Sequence, residues 1–245
     1  MPSIYDIYER KNYRNNLRID QAVSFTVEVR ETNLHVQALT DLSAKAKDSV
    51  FRYRYQLEEY LRQHPAFREA PAPIQIYGSA PEIVRYSDLS SQSTGVAPMS
   101  CVSGAMADLV GRDLALESED VVVSSGGDTF IRCSAPLDVC LYAQGSPLHE
   151  KIILALPALR NPYGIATFVP ERGPHSVTVL SRSACWASAF ARDIGMRLSK
   201  GQSPSLVLDR AANYQSVGGI VVIAGKKLLV GGDLHLRSAN GASAG

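Results

Sequence analysis

Gly95-Val96-Ala97-Pro98-Met99-Ser100-Cys101-Val102-Ser103-Gly104-Ala105-Met106-Ala107, and further on Val121-Val122-Val123-Ser124-Ser125-Gly126-Gly127-Asp128, decide how this chain is read. The first piece predicts a helix from about Pro98 to Val110. Pro98 suits its first turn, and Met99, Val102, Met106 and Leu109 share one face at helical spacing. Met residues in such a stripe read as core rather than as a cofactor box. The small residues between them let a second backbone approach closely. The second piece predicts a buried strand that runs into a tight turn at Gly126-Gly127. Such a turn leaves backbone N–H groups and the Asp128 carboxylate at a sheet edge, where a phosphate, a ribose or a metal can be met. Its other reading is a plain hairpin turn, since Gly-Asp pairs are turn residues. A second loop, Thr167 to Ser176, is expected opposite it.

Outward from there, Val23 to Thr40 alternates apolar and polar residues around Arg30-Glu31-Thr32-Asn33 and predicts a β-hairpin. Asp41 can cap the following segment. Ala46, Val50, Tyr53, Leu57, Tyr60 and Leu61 then recur at spacings of three and four, an amphipathic helix that ends before Pro65. Arg52, Arg54 and Arg62 read as its solvated face. Pro81 to Leu89 predicts a helix, Ser90 to Thr94 a polar loop. Strands are expected at Thr129–Cys133, Val139–Tyr142, Lys151–Leu156, Gly164–Val169 and Ser176–Leu180, and helices at Arg182–Ser199 and Pro204–Tyr214. A closing hairpin pairs Gly218–Ala224 with Leu228–Leu236 across Gly225-Lys226-Lys227. This is an α+β pattern of mostly antiparallel sheet with packed helices. Residues 1–237 read as one domain, 238–245 as a flexible tail, and Tyr5, Tyr8 and Tyr13 as part of an N-terminal arm. The order of hairpins and helices hints at an internal duplication, although no repeat shows in the residues.

Composition narrows the classes. The chain has 245 residues, 45% hydrophobic and 20% charged, with a net charge of +1. That supports a sizeable core and gives no basic surface for nucleic acid. No run of about 20 apolar residues is present to span a membrane, and the first residues carry no apolar leader. Cys101, Cys133, Cys140 and Cys185 show no CxxC spacing and mostly apolar neighbours, so they read as buried free thiols in a cytoplasmic protein. A homodimer is permitted without being required.

Familiar chemical signatures are missing: no phosphate-binding GxxxxGK, no GxGxxG after a strand, no HExxH, no GxSxG. His175-Ser176 follows Gly173-Pro174 in a loop. A histidine so placed can contact phosphate or act as a general acid, or it can be a turn residue. His35, His64, His149 and His235 have no partners in register and receive no role.

In order and spacing, four pieces resemble the ApbE-like superfamily, and more closely an uncharacterised branch of it. They are Gly95 to Met99 with Val102 to Ala107, Ser125-Gly126-Gly127-Asp128, Gly145-Ser146-Pro147-Leu148, and Gly173-Pro174-His175-Ser176. In that branch the first usually reads GVGPMAAVAGAIA and the second ENGGD. The resemblance covers most of the chain. It implies a fold similar to a duplicated T-fold. It also implies kinship with FAD:protein FMN transferases, which bind FAD and Mg²⁺ and move FMN onto a threonine of a partner protein. Pro98, Gly126, Gly127, Asp128, Thr167, His175 and Ser176 would then line a ligand cleft, with His175 the catalytic candidate. The family's last helix begins A-D-A-x-A-T-A, and its Asp and Thr help hold the metal. Aligned with Cys185 to Ala191, it places Trp186 at the Asp and Phe190 at the Thr. Neither can ligate Mg²⁺. They would fill the old metal position or form a stacking wall, unless Asp193 or Asp128 supports a shifted site.

The resemblance and its departures together imply a divergent member that binds a flavin (FAD or FMN) or another phosphorylated small molecule, without Mg²⁺ and without transfer. One alternative is an active Mg-dependent FAD:protein FMN transferase, or a flavin-nucleotide hydrolase, with a rearranged metal site. A structural or interaction protein without a ligand is the other.

Overall fold

A computed structural model describes residues 19–76, 78–212, 214 and 216–239. The tyrosines of the N-terminal arm and the tail beyond 239 lie outside the described residues. The elements run β1 (Val23–Val29), β2 (Thr32–Ala38), α1 (Ser43–Gln63), α2 (Pro65–Glu69), α3 (Glu82–Thr94), a 3-10 turn (Pro98–Cys101) and α4 (Val102–Leu114). Then come β3 (Val121–Ser125), β4 (Asp128–Cys133), β5 (Leu137–Cys140), β6 (Ile152–Leu156), β7 (Leu159–Phe168) and β8 (Ser176–Ser181). The chain closes with α5 (Ala184–Ser199), α6 (Pro204–Ala212), β9 (Val217–Ala224), β10 (Lys227–Gly232) and β11 (His235–Ser238).

Eight strands form one antiparallel sheet in the order β1-β2-β3-β4-β7-β8-β9-β10, and β11-β6-β5 form a second. Hairpin, helices, hairpin therefore occurs twice, and the two four-strand units join where β4 pairs with β7. The duplication hinted at by element order is visible in this topology.

Side-chain alternation sorts the core into layers. Val121, Val123 and Phe130 face α1, α3 and α4, and Ala166, Val177 and Val179 face α5. Val122, Ile131, Ile165, Val221 and Ile223 face the opposite way and pack on Leu137, Val139, Leu154 and Leu156 of the small sheet. The molecule is thus a layer of helices, an eight-stranded sheet and a three-stranded sheet.

Three local expectations change. Ser90 to Thr94 is helical, not a loop. The hydroxyls of Ser90, Ser93 and Thr94 donate to carbonyls four residues back, at 3.2, 3.0 and 2.8 Å, so they are satisfied inside the helix. Gly95, at φ 84°, then ends it. Leu228 to Leu236 is not one strand. Gly232 turns at φ 84°, and the chain crosses to the small sheet, where His235–Ser238 pairs with β6. Pro98 opens a 3-10 turn, and the α-helix starts at Val102.

Leu42, not Asp41, is the N-cap residue of α1, and the Asp41 carboxylate, one residue earlier, accepts from Ser43 N at 2.9 Å. Of the four cysteines, all free, Cys101, Cys133 and Cys185 are buried.

Candidate functional site

Residues Ser125 and Asp128 pair directly across the β3–β4 hairpin, and Gly126 takes the positive φ of 61° that so short a turn demands. Gly127 is pressed against β7. A Cβ there would lie 2.6 Å from the Thr167 carbonyl oxygen, and Thr167 N donates to Gly127 O at 3.0 Å. The strand pleat puts Asp128 on the same face as Phe130, under the helices.

Two helices meet the Asp128 carboxylate there. Ser103 from α4 and Ser188 from α5 both donate to Oδ2, the latter at 3.0 Å. Their approach depends on small residues: a Cβ on Gly104 would sit 2.7 Å from Ala184 O. It also depends on Asp108, which accepts from Ser183 Oγ at 2.6 Å, Ala184 N at 2.8 Å and Cys185 N at 2.9 Å. A carboxylate of α4 therefore caps the first turn of α5. Burial pushes Asp128 up to about 6, although the two serines and Arg192 pull the other way.

Ser103, Gly127, Asp128, Phe168, Ser188 and Arg192 enclose a cavity of about 30 Å³, completed by Thr167 and Ala191. Arg192 follows Ser188 by one helical turn. Its guanidinium lies 4.7 Å from the centre of the Phe168 ring. Its Nε is buried and makes no hydrogen bond. Among the described residues no carboxylate forms a salt bridge with it. Its neighbour Asp193 is held instead by Arg197 at 2.8 Å.

Ser103 also belongs to the wall of a much larger cleft of about 860 Å³. Leu57, Leu61, Met99, Val102 and Met106 give that cleft an apolar side, and Arg30, Arg54 and Arg68 line it together with Glu31 and Glu58, which pair with Arg54 and, for Glu58, with Arg30. Arg54 is not on a solvated face. It donates to Thr32 Oγ1 at 2.7 Å, to Glu31 at 2.6 Å and to Glu58 at 2.7 Å, and its side chain is only 14% exposed. The cleft has the size of a nucleotide-scale ligand pocket.

The expected site residues divide. Gly127, Asp128 and the main chain of Thr167 come together at the cavity, beside Gly126 in the turn. Pro98 is buried in the 3-10 turn and lines neither the cavity nor the large cleft. The Thr167 hydroxyl faces the other side of the sheet, 2.9 Å from Thr178 Oγ1. Ser176 is on that face too, fully buried, with its hydroxyl unpartnered. His175 Nδ1 accepts from Gly225 N at 3.1 Å, and Gly145 lies against its ring, where a Cβ would be 3.4 Å from Cδ2. His175 and Ser176 are not among the residues lining the Asp128 cavity or the large cleft.

Trp186 and Phe190 do not occupy the Asp128 cavity. They stack against each other and on toward Tyr214, with ring centres 5.9 and 4.7 Å apart, in the core between α5 and the sheet. The helix positions that do face Asp128 are Ser188, Ala191 and Arg192. Sequence reasoning missed Ser188 and Arg192, although a signal was present: Arg192 is the first charge in a helix that starts with small and apolar residues.

A family model described as "AbpE bacteria" matches residues 14–224. Curated relatives include a UPF0280 protein of Methanococcus vannielii, 30% identical over 210 residues, covering 80% of this chain and 85% of that protein. A UPF0280 protein of Methanospirillum hungatei is 30% identical over 216 residues, covering 84% and 86%. Among solved structures, the flavin transferase ApbE from Vibrio cholerae superposes with a TM-score of 0.56 at 13% identity, covering 86% of this chain and 97% of that one. The apo flavinyl transferase ApbE of Pseudomonas stutzeri gives 0.56 at 14% identity, covering 85% and 93%. At such identity the likeness is one of fold.

Proposed function

This chain belongs to the AbpE bacteria family, and from that premise we propose that it binds a flavin nucleotide, FAD or FMN, or another phosphorylated small molecule without transferring it. The observation that carries the reading is the amphiphilic cleft. Its apolar side of Leu57, Leu61, Met99, Val102 and Met106 suits a planar ring system, and Arg68, the one arginine of its lining that forms no salt bridge among the described residues, suits an anionic tail. The wall residue Ser103 also lines the neighbouring Asp128 cavity. The fold shared with flavin transferases is consistent with a ligand of this class.

Loss of transfer follows in this reading from the Asp128 cavity. A divalent cation needs a shell of oxygen ligands rich in carboxylate or phosphate. Here one carboxylate is present, Ser103 and Ser188 already direct their protons onto it, and the Arg192 guanidinium shares the small space. A dication placed there would meet a like charge, so these residues do not fit Mg²⁺. Asp193 offers no rescue, since Arg197 holds both its oxygens. We place the protein in the cytoplasm on its free thiols, and among the described residues no helix is long and apolar enough to cross a membrane. His175, in this reading, positions the β9–β10 turn against the Gly145 loop.

Calorimetric titration with FAD and with FMN tests the binding, and release of AMP from FAD tests the chemistry. Binding of either flavin with no AMP release is expected. No binding of either would sink the reading, and AMP release would restore the transferase or hydrolase.

A further inference from the structure

Arg192 is a half-buried cation with an aromatic ring on one side, an unpartnered Nε, and no carboxylate in salt-bridge range among the described residues. The buried Nε–H is a donor without an acceptor, a costly state unless something occupies it. The groups around it say what kind. Asp128 is the only acid lining the cavity among the described residues, and both serine hydroxyls donate to its Oδ2. Hydrogen-bond donors that remain there belong to the guanidinium, whose planar fork matches two oxygens of a phosphate or carboxylate. Ser103 bounds both the cavity and the large cleft, so the two are neighbours across a single side chain.

We propose that Arg192 is the cavity's resident cation: it receives a phosphate oxygen pair of the cleft ligand and supplies, as a fixed charge of the protein, the neutralisation a divalent ion would otherwise bring. The inference rests on the phosphorylated-ligand reading for its ligand class. Arg192 is a binding residue here, with no bond made or broken. Phe168 backs the guanidinium, its ring centre 4.7 Å from the guanidinium carbon.

The test uses pyrophosphate as an anionic probe beside FAD, with the full chain in EDTA and again in Mg²⁺, for wild type, Arg192→Gln and Arg192→Lys. Wild type is expected to bind pyrophosphate in EDTA, with less than a twofold change on adding Mg²⁺. Arg192→Gln should weaken it at least tenfold. Arg192→Lys, which keeps charge but loses the fork and the stack, should fall between them, and it keeps the test open if the Gln variant does not fold. Pyrophosphate binding that requires Mg²⁺, equal binding by wild type and Arg192→Gln, or no binding by wild type would each overturn the inference. FAD separates the two claims. If FAD binds but Arg192→Gln leaves pyrophosphate binding unchanged, only the role of Arg192 fails. If FAD does not bind while pyrophosphate binding still depends on Arg192, the flavin reading fails and the cation stands.

Discussion

Asp128 and Asp108 are both buried acids, and they differ in what their burial achieves. Asp108 satisfies three donors at the head of α5. Asp108→Ala leaves them without an acceptor and should destabilise the protein by about 2–4 kcal/mol, measured by denaturant unfolding. Asp108→Asn, which keeps an acceptor, should lose less. Asp128 costs stability when ionised, because burial raises it to about 6 from an ordinary 3.8. The folded state then holds the proton more tightly than the unfolded chain. Between those two values stability falls as pH rises, and above about 6 the full penalty is present. Asp128→Asn removes the charge and keeps an oxygen for Ser103 and Ser188. At pH 7.5 it should be more stable than wild type, by at most about 3 kcal/mol. The gain should shrink as pH is lowered toward 4. Equal stability of the two proteins at pH 7.5 would show that Asp128 is not a strained acid.

The approach of α4 and α5 to each other and to the sheet is set by glycines that have no room for a methyl group. At Gly104 the added Cβ would meet Ala184 O and Cys185 Cα at 2.7 Å, backbone atoms that move only with the whole helix. At Gly164 of β7 it would lie 1.9 Å from Ala184 N and 2.0 Å from Ser183 C. Gly104→Ala should cost about 1–3 kcal/mol, or roughly 2–10 °C in Tm, as the helices move apart. Gly164→Ala should cost more, with little folded protein at 37 °C. Thermal unfolding that ranks them the other way would contradict this packing. These contacts also explain what was legible in the sequence. The run from Gly95 to Ala107 announced a helix built for close approach, and Val121 to Asp128 announced a strand and a two-glycine turn, because both depend on local spacing. The register of α5 on Asp128 could not be read the same way. Ser188, Ala191 and Arg192 reach the cavity while Trp186 and Phe190 pack elsewhere, and that depends on how the helix is rotated against the sheet rather than on local spacing. Arg54 misled for a similar reason: on α1 alone its position looks solvated, and Glu31 and Thr32 from the β1–β2 turn close over it. Ser90 to Thr94 looked like a loop because its hydroxyls can compete with the helix, and here they bond within it.

Three layers share one central sheet, and the thiols are distributed so that each interface has its own reporter. Cys101 and Cys185 are buried on the helix side, and Cys133 lies against the small sheet. Burial pushes the Cys133 thiol up to about 12 and Cys185 well above its ordinary value, so neither is a thiolate near neutral pH. Cys140, partly exposed at the end of β5, is the accessible one. A disulfide reagent should therefore label one thiol quickly in the native protein and all four after unfolding. The labelling of the other three then asks whether residues 1–237 act as one domain. Each strand of the large sheet contributes side chains to one layer or the other by simple alternation, so the sheet cannot lose one partner layer without exposing half of its own core. Equal denaturant midpoints for Cys101, Cys133 and Cys185, read by mass spectrometry of labelled peptides, are expected on that ground. An earlier midpoint for Cys133 would mean that the small sheet detaches first and that the helical layer with the Asp128 cavity stands without it. Saturating FAD should raise all three midpoints together if its cleft belongs to the same cooperative unit.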